Sequence, residues 1–187
     1  MMPNKEECMN LLKEYKVPSN IQTHTLLVNK VSMIIAERLK EKGIKIDTKI
    51  VNAASLLHDI LKCIDFKTFD KLNKEEIKKA EEFRKKYPNI RHEEAAYLEL
   101  KDKYPEVAET IRFHKVMSIN QARTWEQKVV NYADKRASDK RIISLKERFD
   151  DFEKRYGKRI DKKIEKKHYE IEKEIFDIIG MKPGEIN

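Results

Sequence analysis

The chain has 187 residues, 40% apolar and 40% charged: enough to bury the core of one ordinary domain, and too apolar to stay disordered. Its only cysteines, Cys8 and Cys63, come without a CxxC pair or an apolar leader, and no apolar run approaches the ~20 residues that span a bilayer, which excludes a disulfide scaffold and implies a cytoplasmic setting without a membrane partner. The net charge of +8 favours polyanionic partners without choosing among them, and a solvated helix surface rich in Lys and Glu accounts for it equally well.

Helix signals run along nearly the whole chain, and strand alternation is almost absent. Asn4 with Glu7, Ser19 with Gln22, and Asn73 with Glu76 each pair a capping side chain with a reciprocal acceptor three residues on. The spacing predicts helices over Lys5–Tyr15, Gln22–Lys42, Thr48–Leu61, Lys74–Lys86, Ile90–Lys101, Pro105–His114, Trp125–Phe149 and Arg159–Ile179. Gly43 and Gly157 mark helix ends, Pro88 separates two helices, and Pro105 suits a first helical position. The charged stretch from about Lys67 to Tyr87 is expected outside the core. From about Lys146 the tail is also charged, but Ile160, Ile164, Ile171, Ile175 and Ile178 recur at helical spacing and form a stripe that packs on the domain or on a second subunit.

Within the apolar run Ala53–Lys62, His58 and Asp59 stand where core residues are expected. An ionised carboxylate in such a setting must be neutralised, paired or bound to a metal. His24 lies on the apolar face formed by Ile21, Val28, Val31 and Ile35; His92 and His114 follow, and Asp134 ends the apolar run from Val129. Each has a structural alternative taken singly: a core histidine at His24, an exposed helix start at His92, a helix-end cation at His114. Taken together, imidazole nitrogens and carboxylate oxygens suit divalent transition metals better than Ca or a thiolate-seeking ion. His168 falls outside the series. There is no glycine-rich phosphate loop, no Gly-x-Ser-x-Gly elbow and no His-Glu-x-x-His helix. Trp125 and the seven tyrosines form no stacking ladder for single-stranded nucleic acid.

On these residues the chain resembles the HD-domain superfamily of metal-dependent phosphohydrolases, from about Ile21 to about Arg141. His24, the His58-Asp59 doublet and Asp134 match the family's defining metal set, and His92 and His114 match the extra histidines of members that hold two metals. Leu56-Leu57-His58-Asp59-Ile60-Leu61-Lys62 and Tyr132-Ala133-Asp134-Lys135 are most similar to the small branch that splits diadenosine tetraphosphate symmetrically. They depart from it where Leu61 replaces a glycine, Lys115 follows His114 in place of threonine, and Lys135-Arg136 follow Asp134.

The resemblance implies an all-α HD-domain helical bundle over residues 1–145, with its core at about 21–141, and a charged C-terminal helical extension over 146–187. It implies one or two divalent ions, two being favoured, with Fe, Mn, Zn, Co and Ni undistinguished. His24, His58, Asp59 and Asp134 would hold one ion, and His92, His114 and a bridging Asp59 the other, with a water between them deprotonated for attack on phosphorus. Lys62, three residues beyond Asp59, shares its side of a helix and is expected to offer its ammonium to a phosphate, an ordinary solvent lysine being the alternative. Lys115 and Arg136 are the next candidates for that work. The expected substrate is a nucleotide or dinucleoside polyphosphate. A phosphodiesterase or nuclease acting on RNA or a cyclic nucleotide, and a non-catalytic nucleotide-sensing adaptor, are the alternatives, and a homodimer is allowed.

Overall fold

The computed structural model describes residues 2–138 and 140–186, and its architecture is an all-α bundle. The capping box of Asn4 and Glu7 starts α1 (Lys5–Glu14). After it come α2 (Ser19–Glu41), α3 (Thr48–Leu57), a 3-10 turn (Lys62–Asp65), α4 (Lys74–Lys86), α5 (His92–Leu100), α6 (Pro105–Arg112), a second 3-10 segment (Val116–Gln121) and α7 (Trp125–Arg136). A two-residue hairpin, β1 (Ala137–Ser138) and β2 (Arg141–Ile142), pairs Ala137 with Ile142 and leads to α8 (Leu145–Tyr156) and α9 (Lys162–Ile179). No helix of the described residues is long and apolar enough to cross a membrane.

The central packing is that of α2 along α3 and α7. At ~1.5 Å per residue, the 23 residues of α2 reach across most of the domain. They bury Val28, Val31, Ile35 and Leu39. Nearly every residue of α3 from Ile50 to Leu57 is buried, so this helix runs through the middle of the bundle and the chain leaving its end is still deep inside. Polar groups lock the crossing: Asn29 on α2 donates to the Asn52 carbonyl at 3.2 Å and to Ser55 Oγ at 2.9 Å. The stripe on α9 is buried at Ile164, Ile171, Ile175 and Ile179, and α9 packs on α2, α7 and the 116–121 segment. By contrast α4 buries only Ala80 and Phe83 and lies at the periphery.

Three expectations about local structure are corrected. Trp125–Phe149 is not one helix. The backbone turns extended at Ala137, and Ser144 with Glu147 forms a new capping box that starts α8; that cap lies inside a continuous helical pattern, which concealed it. Ser19 caps nothing: α2 begins directly after Pro18 without a side-chain cap, and Gln22 donates to the Val17 carbonyl at 2.7 Å. Finally, α3 stops at Leu57 instead of Leu61. Amides of Ile60, Lys62 and Ile64 bond the carbonyls three residues back, so the chain tightens into 3-10 geometry where the His58-Asp59 doublet sits.

Candidate metal centre

Five helices or helix ends bring the six expected metal ligands to one place. His24 comes from α2, His58 and Asp59 from the tightened turn after α3, His92 from the first position of α5, His114 from just beyond α6, and Asp134 from α7. They fall into two groups of close donor atoms: His24, His58 and Asp134, and Asp59, His92 and His114. In the first, His24 Nε2 lies 3.0 Å and His58 Nε2 3.6 Å from Asp134 Oδ1. In the second, His92 Nε2 lies 3.0 Å and His114 Nε2 3.4 Å from Asp59 Oδ1. Neighbouring residues thus serve different groups, and Asp59 joins the two because its Oδ2 is 3.7 Å from His58 Nε2.

Three of the imidazoles are anchored through the opposite nitrogen. His58 Nδ1 donates to the Ser55 carbonyl at 2.8 Å, His114 Nδ1 to the Ile111 carbonyl at 2.6 Å, and His92 Nδ1 to Asp65 at 2.5 Å. Each such bond settles the tautomer and turns Nε2 toward the centre, as a metal-binding histidine requires. His58 Nε2 is fully buried and has no hydrogen-bond partner among the described residues. A buried polar atom left in that state is costly unless something binds it. These residues therefore fit a divalent cation.

The electrostatics agree. Burial alone would raise the Asp59 carboxyl, but Lys62, His58, His114 and His92 hold it well below the usual carboxylate range. Against the same effect, Lys135, His24 and His58 do so for Asp134. At His58 and His92 burial disfavours charge, yet the facing carboxylates outweigh it and raise both imidazoles. Burial, with His58 and His92 alongside, pushes His114 down to about 4. A cation bound here takes the place of protons that the carboxylates otherwise draw onto the histidines.

Of the residues expected to meet phosphate, Lys62 has its ammonium 3.3 Å from Asp59 Oδ1 and 3.2 Å from His92 Nε2, with a third of the side chain exposed. Lys115 is exposed at the cavity rim and forms no ion pair among the described residues. Arg136 is corrected. It is buried, and its guanidinium donates to the Ile143 carbonyl, to the Tyr132 hydroxyl and, at 2.9 Å, to the Pro183 carbonyl. These bonds, with Glu172 3.6 Å from the same guanidinium, tie α7 to the segment after the hairpin and to the C-terminal turn, and Arg136 does not line the cavity.

Other residues of the site were not legible in the sequence. Asp65 orients His92, and Glu93 is buried beside it with Oε2 3.4 Å from His92 Nδ1 and 3.7 Å from Arg91 Nε but without a hydrogen bond among the described residues. Acidic residues in a charged loop and at a helix start carry no signal of their own, although Asp65 lies only six positions beyond Asp59. Lys135 is buried and donates to the His114 carbonyl at 2.8 Å and to Asp134. Asn131 holds the His114 segment onto α7 through the Phe113 and Lys115 carbonyls, at 2.7 and 2.9 Å. The centre opens into a cavity of about 780 Å³, reached by Asp59, His92, His114 and Asp134 on one part of its wall and by Phe152 and Tyr156 of α8 on another.

Compared with protein families, the chain matches the HD domain over residues 21–139. Comparison with curated proteins and with solved structures found no match.

Proposed function

This chain belongs to the HD domain family, and on that premise we propose that it is a metal-dependent phosphohydrolase acting on a nucleotide or dinucleoside polyphosphate. The observation that carries the reading is the convergence of anchored imidazoles and buried carboxylates around the orphaned His58 Nε2. His24, His58, Asp59, His92, His114 and Asp134 would hold divalent ions, which would supply the charge that lowers the pKa of a bound water and offsets that of a phosphate.

The protein's own groups do the rest. Asp59 faces both ligand groups and so would contribute to holding an ion in either. Asp65 and the Ser55 and Ile111 carbonyls keep three rings oriented without further rearrangement. Against burial, which disfavours its charge, Asp59, Asp134 and Glu93 raise the Lys62 ammonium, so it stays cationic. Its flexible, partly exposed stem lets it turn to a phosphate oxygen. Lys115 adds a second cation at the rim. A cavity of about 780 Å³ takes a nucleotide-sized ligand, since small-molecule sites run from roughly 300 to 1,000 Å³.

The test is to strip the protein with chelator, reload it with Mn, Fe, Co, Ni or Zn, and assay nucleoside polyphosphates, dinucleoside polyphosphates, cyclic nucleotides and an RNA oligomer. Metal-dependent release of phosphate or mononucleotide from the polyphosphates is the expected result. Full metal loading with no turnover of any of them would establish a binding role instead. Lys62→Ala should keep its metal and lose roughly ten- to a hundredfold in kcat/KM, equivalent to about 1.5–3 kcal/mol for a charge-assisted hydrogen bond.

A further inference from the structure

The matched family segment ends at residue 139, but the cavity does not. Arg148 of α8 donates to the Lys135 carbonyl at 3.1 Å, the Asp134 carbonyl at 3.4 Å and the Ala137 carbonyl. It thereby caps the end of the helix that carries Asp134 and folds α8 against it. That places Phe152, Arg155, Tyr156 and Ile160 on the wall of the cavity that holds the metal ligands.

Phe152 and Tyr156 are one turn apart, with ring centroids 4.5 Å apart and planes inclined by 41°. Tyr156 is 64% and Met117 46% exposed, the two most open of the large apolar residues among those described, and both line this cavity. Gly157 ends α8 directly after Tyr156 in a left-handed conformation, φ +66°, so the chain turns away and leaves the ring face uncovered. Lys62, Lys115 and Lys140 line the same cavity and make it complementary to an anion. The occupant that suits both features is flat and aromatic at one end and phosphorylated at the other. An inorganic polyphosphate or a sugar phosphate would leave the aromatic wall bare.

We infer that Phe152 and Tyr156 form a base-stacking shelf that makes the site selective for nucleotides over base-less phosphates. This inference rests on the phosphohydrolase reading for the position of the phosphates, at the Asp59 and Lys62 end of the cavity. Ring faces accept any base, each stack contributing roughly 1–3 kcal/mol. The shelf therefore selects for the presence of a base more than for its identity, and it belongs to the C-terminal segment, outside the family's own region.

The experiment measures, by calorimetry on the metal-loaded protein, the affinity of the β,γ-imido analogues of the four common ribonucleoside triphosphates against that of inorganic tripolyphosphate. The wild type should favour at least one nucleotide by tenfold or more. Tyr156→Ala, at an exposed position that does not threaten the fold, should reduce that preference about tenfold, and Tyr156→Phe should retain it. An unchanged preference in Tyr156→Ala overturns the shelf. So does a wild type that binds tripolyphosphate and nucleotides equally, which leaves the phosphate site standing. So does a Tyr156→Ala protein whose only change is its sedimentation as a different oligomer, which would make the ring a contact between copies. Nucleotide binding that depends on Tyr156 without any hydrolysis supports the shelf and removes the hydrolase reading.

Discussion

The two ligand groups of the centre are built from the same residue types but are held differently. In the group of Asp59, His92 and His114 every side chain is at most 5% exposed, and both rings are anchored at Nδ1. In the group of His24, His58 and Asp134, only His58 is both buried and anchored; His24 and Asp134 are 19% and 15% exposed, and His24 Nδ1 has no partner among the described residues. The first group is preorganised by hydrogen bonds from loops and helix ends. The second relies on the rigid crossing of α2, α3 and α7; both groups reach the cavity, the first through all three of its residues and the second through His24 and Asp134. Preorganisation lowers the cost of binding, so the first group should suffer more from loss of a ligand than from loss of a supporting partner, and the second should be the more adaptable of the two.

Asp59→Ala carries the largest expected effect, because Asp59 is the carboxylate that faces histidines of both groups. Elemental analysis should find essentially no bound metal, and hydrolysis should vanish; full metal content would remove Asp59 from the centre. His92→Ala and His114→Ala should each strip the first group alone, reducing metal toward one ion and sharply lowering turnover while circular dichroism stays that of the wild type. Wild-type turnover in both would show that the first group takes no part. Asp65→Ala leaves all the candidate ligands in place but removes the partner of His92 Nδ1, together with the acceptor of the His92 amide and the ion pair with Arg91, so metal affinity should fall by about 10–100-fold. Asp65→Asn, which keeps an acceptor, should recover much of it, and competition with a chelator distinguishes the two.

The smallest effect is expected at His168, which belongs to neither group. Burial, reinforced by the charge of Lys135, pushes this imidazole down to about 4, and its Nε2 donates to the Val116 carbonyl at 3.1 Å. The unfolded chain, with an ordinary value near 6.5, takes up the proton first. Stability from this residue is therefore complete above about pH 6.5 and is lost as pH falls toward 4, by about 2–3 kcal/mol. His168→Gln keeps a donor to Val116 and should flatten that part of the pH profile. Urea titrations of metal-stripped wild type and variant at pH 7 and 4.5 measure the difference, and parallel losses of stability would refute it. Metal content at pH 7 should be unchanged.

His58, Asp59 and Asp134 stood out as candidates because they interrupt or end apolar runs, an anomaly that burial turns into a chemical demand, whereas His92 and His114 entered through the family resemblance. The helices were legible where a cap stood outside the neighbouring periodic run, as at Asn4 and Asn73, and not where it lay inside one, as at Ser144. Legibility ended where a feature matched its local background. The hairpin at 137–142 interrupts a helical pattern, and Asp65 is one acid among many. Arg136 and Lys135 are adjacent basic residues beside Asp134, yet one bonds the Ile143 and Pro183 carbonyls and the other the His114 carbonyl.

Residue type and spacing alone were enough for the all-α class and for a divalent-metal chemistry, since both follow from local periodicity and from the energetic cost of burying a carboxylate. Which nitrogen of each histidine faces the centre, which of two groups each candidate ligand joins, and which cations remain available to a substrate depend on backbone carbonyls and on side chains brought together from distant parts of the chain. Ser55 fixes His58 through a backbone oxygen, and Arg148 brings Phe152 and Tyr156 to the cavity by capping a different helix. Backbone acceptors carry no residue signature, and contacts across tens of positions leave no period, so these assignments arise only when the helices are packed.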